Sequence, residues 1–466
     1  MSPIDPLDDR PTPGPQHPFT PPPAVGMTVE GARVVLHRRT DLPLVRLQFI
    51  IEGGAASDPA EKSGLADLTA SCLREGAGDR DAVAFAGALD LAGASFSVGA
   101  AADATIVQAA CLKSRLKETL ALVADAVLRP RFDAAAFQRV KVQTVGALRQ
   151  RDEQPSAAAA IAAARALFGE GHPLGRPSDG RAETVERIGL ADVRGRFAVA
   201  SAEPVSVIAA GDFSPEELTE AIAPILAGRR LRAAGLAVRL PRPELLPPVR
   251  ADALRVIVVD RPAAPQSVIQ FVWPGVAYGA PDRPAFAIAM TAFGGSFTSR
   301  LNDNLREKRG YTYGARARAD YFRGKADDGS AGFGVVAASA SVQSAVTGAS
   351  VKEFMVEFER MRVGDFTEAE IEKAKAGIRN GRISSCETLE GLMGDAAMIA
   401  NFRLPLDRNM LDLLRLAAVD ASAANAVARR VLVPDGGVLV IAGDRRSVAE
   451  QLAPLGLPAA EIRAAR

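Results

Sequence analysis

The chain repeats itself, and this internal repeat limits its possible folds more than any other feature. Three segments recur in the same order at an offset of about 220 to 235 residues. The matched ranges are 47–54 with 269–275, 132–137 with 366–371, and 205–212 with 438–444. Chance similarity would seldom keep this order, so the sequence predicts two homologous halves.

Shifts in composition indicate where the halves begin and end. Residues 1–26 contain nine prolines and no apolar stretch like that of a signal peptide, so we predict a disordered leader. A second proline-rich segment, 229–251, predicts an extended linker. The predicted domains are therefore 27–228 and 252–466. The expected compartment is the cytoplasm by default, or the bacterial periplasm if a leader was removed.

Strand and helix patterns alternate within each half. Large apolar and β-branched residues predict strands at 44–51 and 268–273. Apolar residues at helical spacing predict helices at 64–74, 82–91, 115–128 and 134–151. This order favours the α+β class, with a mostly antiparallel sheet in each half and helices packed on one face.

Charge and residue counts exclude several functional classes. The 466 residues include 56 basic and 55 acidic side chains, so nothing favours binding to nucleic acid or to an anionic membrane. No apolar run reaches the roughly 18 residues that a transmembrane helix needs. The three cysteines are scattered, which predicts ordinary buried thiols rather than disulfides or a metal site. No two of the three histidines can form a ligand pair on one helix: His17, His37 and His172.

One segment carries residues suited to catalysis, because Arg306 and Tyr313 lie seven positions apart. A guanidinium stays charged at any working pH and a phenol donates without ionising, so the pair could hold a peptide carbonyl during hydrolysis. Two alternatives stay open from the residues alone. Arg306 could form a surface salt bridge with Glu307, and Tyr313 could be a core residue of a strand. Tyr311, which would share a strand face with Tyr313, is a secondary candidate that could line the same pocket.

Two further motifs have simpler explanations than chemistry. The run Gly294-Gly295-Ser296 lacks the rest of a phosphate-binding loop, so we interpret it as a turn into a helix at Phe297. The glycines could instead allow close approach of a substrate. The segment 379–382 continues the polar face of a predicted long helix, which favours a solvated surface.

The duplicated layout resembles the pitrilysin/insulinase-like zinc metallopeptidases, the group that includes mitochondrial processing peptidase, over about residues 28 to 460. The family typically reads F-x-S-R-L-x-x-x-L-R-x-x-x-G-x-x-Y, and the chain matches every named position from Phe297 to Tyr313. The segment 171–177, Gly-His-Pro-Leu-Gly-Arg-Pro, is similar to a family loop that follows the long helices of the first domain. The resemblance implies a bilobed chain that forms half of a clamshell around a peptide.

The chain departs from the family at the zinc site. Active members carry His-x-x-Glu-His on the helix after the first strand, where two histidines bind zinc and the glutamate activates water. Aligned to that motif, Asp67 replaces the first histidine, Ala70 the glutamate and Ser71 the second histidine. The distal glutamate ligand falls on Gly146 or Ala147. Because zinc requires three or four donors, we predict no metal and no other cofactor in this chain.

The resemblance therefore implies a metal-free subunit of a heteromeric zinc metallopeptidase that hydrolyses peptide bonds. Arg306 and Tyr313 would bind and polarise the substrate carbonyl at the zinc site of a homologous partner chain with His-x-x-Glu-His. The chain would be inactive alone, zinc would lie in the partner, and the substrates would be short or unfolded peptides. The alternative is a catalytically silent structural or peptide-holding scaffold subunit.

Overall fold

The computed structural model describes residues 18–234, 240–241, 243–325 and 331–464. His17 and most of the predicted leader lie outside the described residues. Each half of the chain forms a six-stranded sheet with helices packed against it. No helix in these ranges is long and apolar enough to span a membrane.

The N-terminal half holds its sheet in the strand order β1-β2-β8-β3-β7-β6, with β2 and β8 parallel and the other neighbours antiparallel. Its strands are β1 (Val25–Val29), β2 (Ala32–Arg38), β3 (Leu44–Glu52), β4 (Gly76–Ala77), β5 (Arg80–Asp81), β6 (Ser95–Ala100), β7 (Ala104–Leu112) and β8 (Val205–Gly211). Its helices are α1 (Leu65–Cys72), α2 (Ala82–Leu91), α3 (Leu116–Leu128), α4 (Ala134–Glu153), α5 (Pro155–Phe168), α6 (Ala182–Glu186), α7 (Leu190–Ala200) and α8 (Pro215–Ala234). Strands β4 and β5 form a separate small hairpin.

The C-terminal half has the strand order β11-β12-β10-β13-β9-β14, with β9 parallel to both β13 and β14. Its strands are β9 (Arg255–Asp260), β10 (Gln266–Pro274), β11 (Thr312–Lys325), β12 (Ala331–Gln343), β13 (Val438–Gly443) and β14 (Glu461–Ala464). Its helices are α9 (Arg283–Met290), α10 (Arg300–Asn302), α11 (Thr347–Val363), α12 (Glu368–Cys386), α13 (Leu389–Asn401), α14 (Arg408–Ala417), α15 (Ala421–Val431) and α16 (Arg445–Leu452).

The two sheets show the repeat that the sequence predicts. Strands β3 and β10 contain the first pair of matched segments, and β8 and β13 contain the third. Each pair occupies the same place in its sheet, since β3 lies between β7 and β8 just as β10 lies between β12 and β13. Helices α4 and α12 contain the remaining pair. The predicted α+β class with two homologous, mostly antiparallel halves is confirmed.

Each half contributes one helix that packs on the sheet of the other half. Helix α5 packs on β9, β10 and β13 of the C-terminal sheet, and α13 packs on β2 and β8 of the N-terminal sheet. Each half therefore packs its own helices on one face of its sheet, as expected. The opposite face is covered by a helix from the other half. Because the central strands are buried on both faces, they are nearly continuous apolar runs, as in β13.

Three boundaries differ from the sequence prediction. Strand β1 begins at Val25, inside the predicted leader, because it pairs with β2. His37, expected before the first strand, lies within β2. Helix α8 continues to Ala234, past the predicted boundary at 228, because buried Arg229 donates to the carbonyls of Ala200 and Glu203. All three cysteines are buried free thiols: Cys72, Cys111 and Cys386.

Candidate functional site

The predicted former zinc positions lie on α1, largely inside the molecule. Ala70 is only 1% exposed, while Asp67 and Ser71 are half-buried. Ala70 and Arg196 both line a void of about 20 Å³, which is too small for an added carboxylate side chain. The helix thus presents two half-buried oxygen-bearing side chains and one methyl group at these positions.

The surroundings of Asp67 do not favour a bound cation. Burial raises the pKa of the Asp67 carboxyl, and the nearby Asp179 raises it further. Arg151 Nη1 lies 2.5 Å from Asp179 Oδ1 and also donates to the carbonyl of Gly180. The Arg151 guanidinium therefore already neutralises Asp179, a neighbouring carboxylate that could otherwise assist Asp67.

The distal positions do not complete a metal site either. Gly146 and Ala147 lie on the exposed face of α4, whereas Val145 and Leu148 pack in the cluster that also contains Leu68 of α1. Within the described ranges, no group of three or more His, Cys, Asp or Glu side chains is placed to hold a metal ion. The donor set at these positions does not fit zinc, which needs three or four nitrogen, sulfur or oxygen ligands.

A buried ion pair fixes the start of α1. The side chains of Asp58 and Arg196 are 1% and 4% exposed, with Arg196 Nε 3.5 Å from Asp58 Oδ1. Asp58 Oδ2 accepts from the amide of Ala66 at 3.0 Å, and Arg196 donates to the carbonyl of Gly53 at 2.9 Å. Burial raises the pKa of Asp58 to about 6. This pair was missed from the sequence, because its members lie far apart in the chain.

Arg306 and Tyr313, predicted as a pair, are brought together in space. The Arg306 guanidinium carbon lies 5.6 Å from the centre of the Tyr313 ring and 4.3 Å from that of Phe297. Tyr313 is 92% exposed and Phe297 is 68% exposed. We call these three side chains the Arg306 cluster. Glu307 also pairs with Arg306, at 2.8 Å, so the surface salt bridge considered from the sequence forms alongside the aromatic contacts.

A β-bulge controls where Tyr313 points. The register of β11 against β12 shifts between Thr312 and Ala315. Without this shift, Tyr313 would follow the alternation that buries Ala315 and Ala317, and it would enter the core. The interpretation of Tyr313 as a core residue is therefore wrong. Tyr311 precedes β11 and its amide donates to Leu305, so the shared strand face expected for the two tyrosines is also wrong.

Buried polar residues hold the elements that carry the Arg306 cluster. Asn302, 3% exposed, donates to the carbonyl of Phe297 at 2.6 Å and accepts from the amide of Ala315 at 3.1 Å. Arg300 bonds to Glu370 and to Asp365, which ties the same segment to the turn before α12. Asn302 was missed from the sequence because its two partners only become neighbours once the bulge forms.

Irregular helical turns place Arg306 beside the strand. Residues 303–308 form a π-helical turn, a feature often found at functional sites. A second π-helical turn ends at Gly295, and the regular helix begins at Arg300, so the predicted helix start at Phe297 is wrong. Gly294 is required by packing, since a Cβ there would lie 2.6 Å from the Ala317 Cβ.

In α12, Asn380 is exposed, as the predicted solvated face requires, whereas Arg382 pairs with Asp395.

The Arg306 cluster can bind an oxygen atom that carries or gains negative charge. Arg306 is a permanent cation on an aromatic support, and the Tyr313 hydroxyl is available to solvent. Asn302 and the bulge fix the backbone that carries the Phe297 and Tyr313 side chains. The cluster supplies hydrogen-bond donors to such an oxygen, and a reaction would need a nucleophile from another molecule.

Two protein-family models match the chain. The insulinase model, peptidase family M16, matches residues 33–178, and the model described as the M16 peptidase inactive domain matches residues 200–378. The chain belongs to the insulinase-like M16 peptidase family. The family predicted from the sequence is confirmed, whereas the role of Arg306 and Tyr313 stays a prediction. The inactive-domain match supports a catalytically inactive member of M16, in agreement with the predicted replacement of the zinc ligands.

Bacterial relatives cover most of the chain. A zinc protease of Mycobacterium tuberculosis, described as uncharacterised, is 28% identical over 405 residues, which cover 86% of this chain and 89% of the relative. A protein of Helicobacter pylori described as a non-peptidase homologue is 25% identical over 289 residues, or 60% and 63% of the two chains. The M16 inactive-domain structure from Pseudomonas fluorescens superposes with a TM-score of 0.78 at 23% identity, covering 90% of this chain and 98% of that one. This last likeness shows a shared fold.

Proposed function

We propose that this M16 chain is the metal-free subunit of a two-chain zinc peptidase. Its Arg306 cluster would bind the carbonyl of a peptide whose cleavage takes place at the zinc site of a homologous partner. The partner would supply His-x-x-Glu-His and the zinc ion. Short or unfolded peptides are the expected substrates, because they can enter between two bilobed chains.

One observation carries the proposal: Arg306, Phe297 and Tyr313 form a supported but exposed cluster that the fold does not need. Large aromatic side chains are usually buried, and exposed clusters of them mark binding sites. The Arg306–Glu307 pair is exposed, and such pairs contribute about 0–1 kcal/mol, so a substrate oxygen could displace it at low cost. The non-peptidase description of the H. pylori relative supports inactivity of this chain by itself.

The chemistry needs nothing more from this chain than binding and orientation. The guanidinium and the phenol would donate to the carbonyl oxygen as it gains charge, which lowers the barrier if those bonds strengthen in the transition state. Removal of one such donor typically reduces kcat about 10²- to 10³-fold.

The test begins with purification of the tagged full-length chain from its native cells, together with the M16 chain that binds it. Peptide hydrolysis by this complex is then compared with that of complexes containing Arg306→Ala or Tyr313→Phe. We expect each change to reduce kcat about 10²- to 10³-fold, with the same amount of complex recovered. Lys308→Ala and Tyr311→Phe are matched controls on the same segment and should keep wild-type turnover.

Two results would overturn the proposal. Unchanged turnover in both variants would instead support the alternative, a scaffold subunit that takes no part in catalysis. Metal-dependent cleavage by the isolated chain would show that its inactivity is wrongly inferred.

A further inference from the structure

A cavity of about 370 Å³ lies where the two halves meet, beside the part of the C-terminal sheet that α5 leaves uncovered. Helix α5 and the loop at 173–178 form one wall, β11 forms the other, and β10 and β12 form the floor. Most of the lining is apolar, including Leu167, Phe168, Val272, Phe322 and Val335. Its volume is at the lower end of those of small-ligand sites, which are about 300–1,000 Å³.

The wall that contains Phe168 is held in place before any ligand binds. The ring of His172 stacks on Phe168 with the ring centres 5.0 Å apart. His172 Nδ1 accepts from the amide of Leu174 at 3.1 Å, which fixes the ring against the loop. Gly175 completes the loop, since a Cβ there would lie 2.0 Å from the carbonyl oxygen of Gly169. The cavity is therefore formed by well-packed residues.

The charged side chains of the lining leave one positive charge uncompensated. Arg318 and Asp320 neutralise one another at 3.0 Å. Arg176 also lines the cavity and has no acidic partner within ion-pair distance among the residues that the structure describes. A guanidinium at the side of an apolar cavity matches a carboxylate attached to an apolar group, because its planar donors can bond both carboxylate oxygens.

We propose that this cavity binds the C-terminal residue of a peptide, with an apolar side chain inside it and the terminal carboxylate on Arg176. Arg318 lies five residues after Tyr313 on β11, which corresponds to about 17 Å of extended chain. A peptide anchored in the cavity could therefore reach the Arg306 cluster about five residues upstream of its end. This last step rests on the function proposed above, whereas binding at the cavity does not.

Fluorescence anisotropy with the isolated full-length chain tests the proposal without any partner. The probe is an N-terminally labelled peptide of about ten residues that ends in Phe, prepared both as the free acid and as the C-terminal amide. We expect the acid to bind about tenfold or more tightly than the amide, because only the carboxylate can accept charge-assisted hydrogen bonds from the guanidinium. Arg176→Met should remove this difference, and Arg316→Met, at an exposed position of β11 outside the cavity, should keep it.

A second pair of variants tests the apolar part of the site. Ala164→Phe should fill the cavity from α5 and weaken the binding of both peptides, whereas Ser156→Phe, at an exposed position of the same helix, should not. Equal affinity of wild-type chain for acid and amide, or an unchanged ratio in Arg176→Met, would overturn the proposal. Displacement of the acid peptide by octanoate at equal concentration would overturn the assignment to peptides. Because no turnover is measured, failure here is distinct from failure of the proposed enzyme function.

Discussion

The α1 region and the Arg306 cluster are the two places where M16 chemistry could reside in this chain, and the fold treats them in opposite ways. At α1, Ala70 is buried and Asp67 is half-buried, so these positions contribute to packing. At the Arg306 cluster, Phe297 and Tyr313 are exposed although they are large and aromatic. The α1 positions are buried or half-buried, whereas the aromatic rings of the Arg306 cluster are exposed to solvent.

The difference fits the proposal that this chain has lost one part of an M16 site and kept another. Asp58 and Arg196 anchor the start of α1 through contacts that involve none of the predicted former ligand positions. Asn302 and the β-bulge, in contrast, hold a group of side chains that contribute little to the core. Changes at α1 should therefore alter stability, and changes at the Arg306 cluster should alter turnover.

The strongest test of this contrast is to rebuild the zinc site. We expect the variant with Asp67→His, Ala70→Glu, Ser71→His and Ala147→Glu to lose roughly 3–5 kcal/mol of stability, because a charge is placed at the buried Ala70. It should also bind zinc weakly and cleave no peptide, since the residues that orient the ligands are absent. Urea unfolding, zinc titration and a peptide assay measure these effects. Unchanged stability would mean that Arg196 pairs with the new glutamate.

Loss of the polar contacts below the Arg306 cluster should affect both properties. Asn302→Leu leaves the carbonyl of Phe297 and the amide of Ala315 without their partner, which should cost about 2–4 kcal/mol. Turnover of the complex should fall as well, because the bulge and the Phe297 loop lose their link. Asn380→Leu, at an exposed position of α12, is the control. Full activity in Asn302→Leu would show that the cluster does not depend on this link.

Removal of the aromatic support should change turnover alone. Phe297→Ala removes a contact of the kind that contributes about 0.5–2 kcal/mol, so kcat of the complex should fall about 2- to 30-fold. Since Phe297 is 68% exposed, the unfolding free energy should change by no more than about 0.5 kcal/mol. Val363→Ala provides an exposed apolar control on α11. A loss of stability without a change in kcat would show that Phe297 contributes to folding and not to turnover.

The pH dependence of stability should report on Asp67. The pKa of Asp67 in the folded state is raised by burial and by Asp179. Its favourable contribution to the free energy of unfolding is therefore complete below the unfolded-state pKa of about 3.9, and it is lost as the pH rises through the folded-state pKa. Asp67→Asn should remove this loss and flatten the profile over that window. Urea midpoints across the acidic range measure it, with the exposed Asp90→Asn as control. An identical profile in wild type and Asp67→Asn would exclude this role.

The smallest expected effect concerns the ion pair of Arg306. Glu307→Gln should leave stability nearly unchanged, because exposed pairs contribute about 0–1 kcal/mol. Turnover of the complex should stay the same or rise by up to about fivefold as the guanidinium becomes freer. A large decrease in kcat would mean that Glu307 itself positions Arg306.

Much of the fold follows from local patterns. The predicted helices at 64–74, 82–91, 115–128 and 134–151 correspond to α1, α2, α3 and α4, because their apolar spacing is regular. The segments misjudged near the Arg306 cluster are irregular ones. The π-helical turns and the bulge before Ala315 depend on contacts with Asn302 and β12, which no short-range pattern contains. The side-chain direction of Tyr313 could not be predicted without them.

The sequence by itself determined the repeat, the α+β class and the M16 family, and it predicted the replacement of the zinc ligands at 67 and 71 and of the catalytic glutamate at 70. These features depend on residue identity, periodicity and order along the chain. Only the tertiary structure decided that α5 and α13 cross to the opposite sheets and that Arg306 meets Phe297 and Tyr313. It also decided that a cavity with Arg176 opens between the halves. These features arise from contacts between residues far apart in the chain, which depend on how whole elements pack.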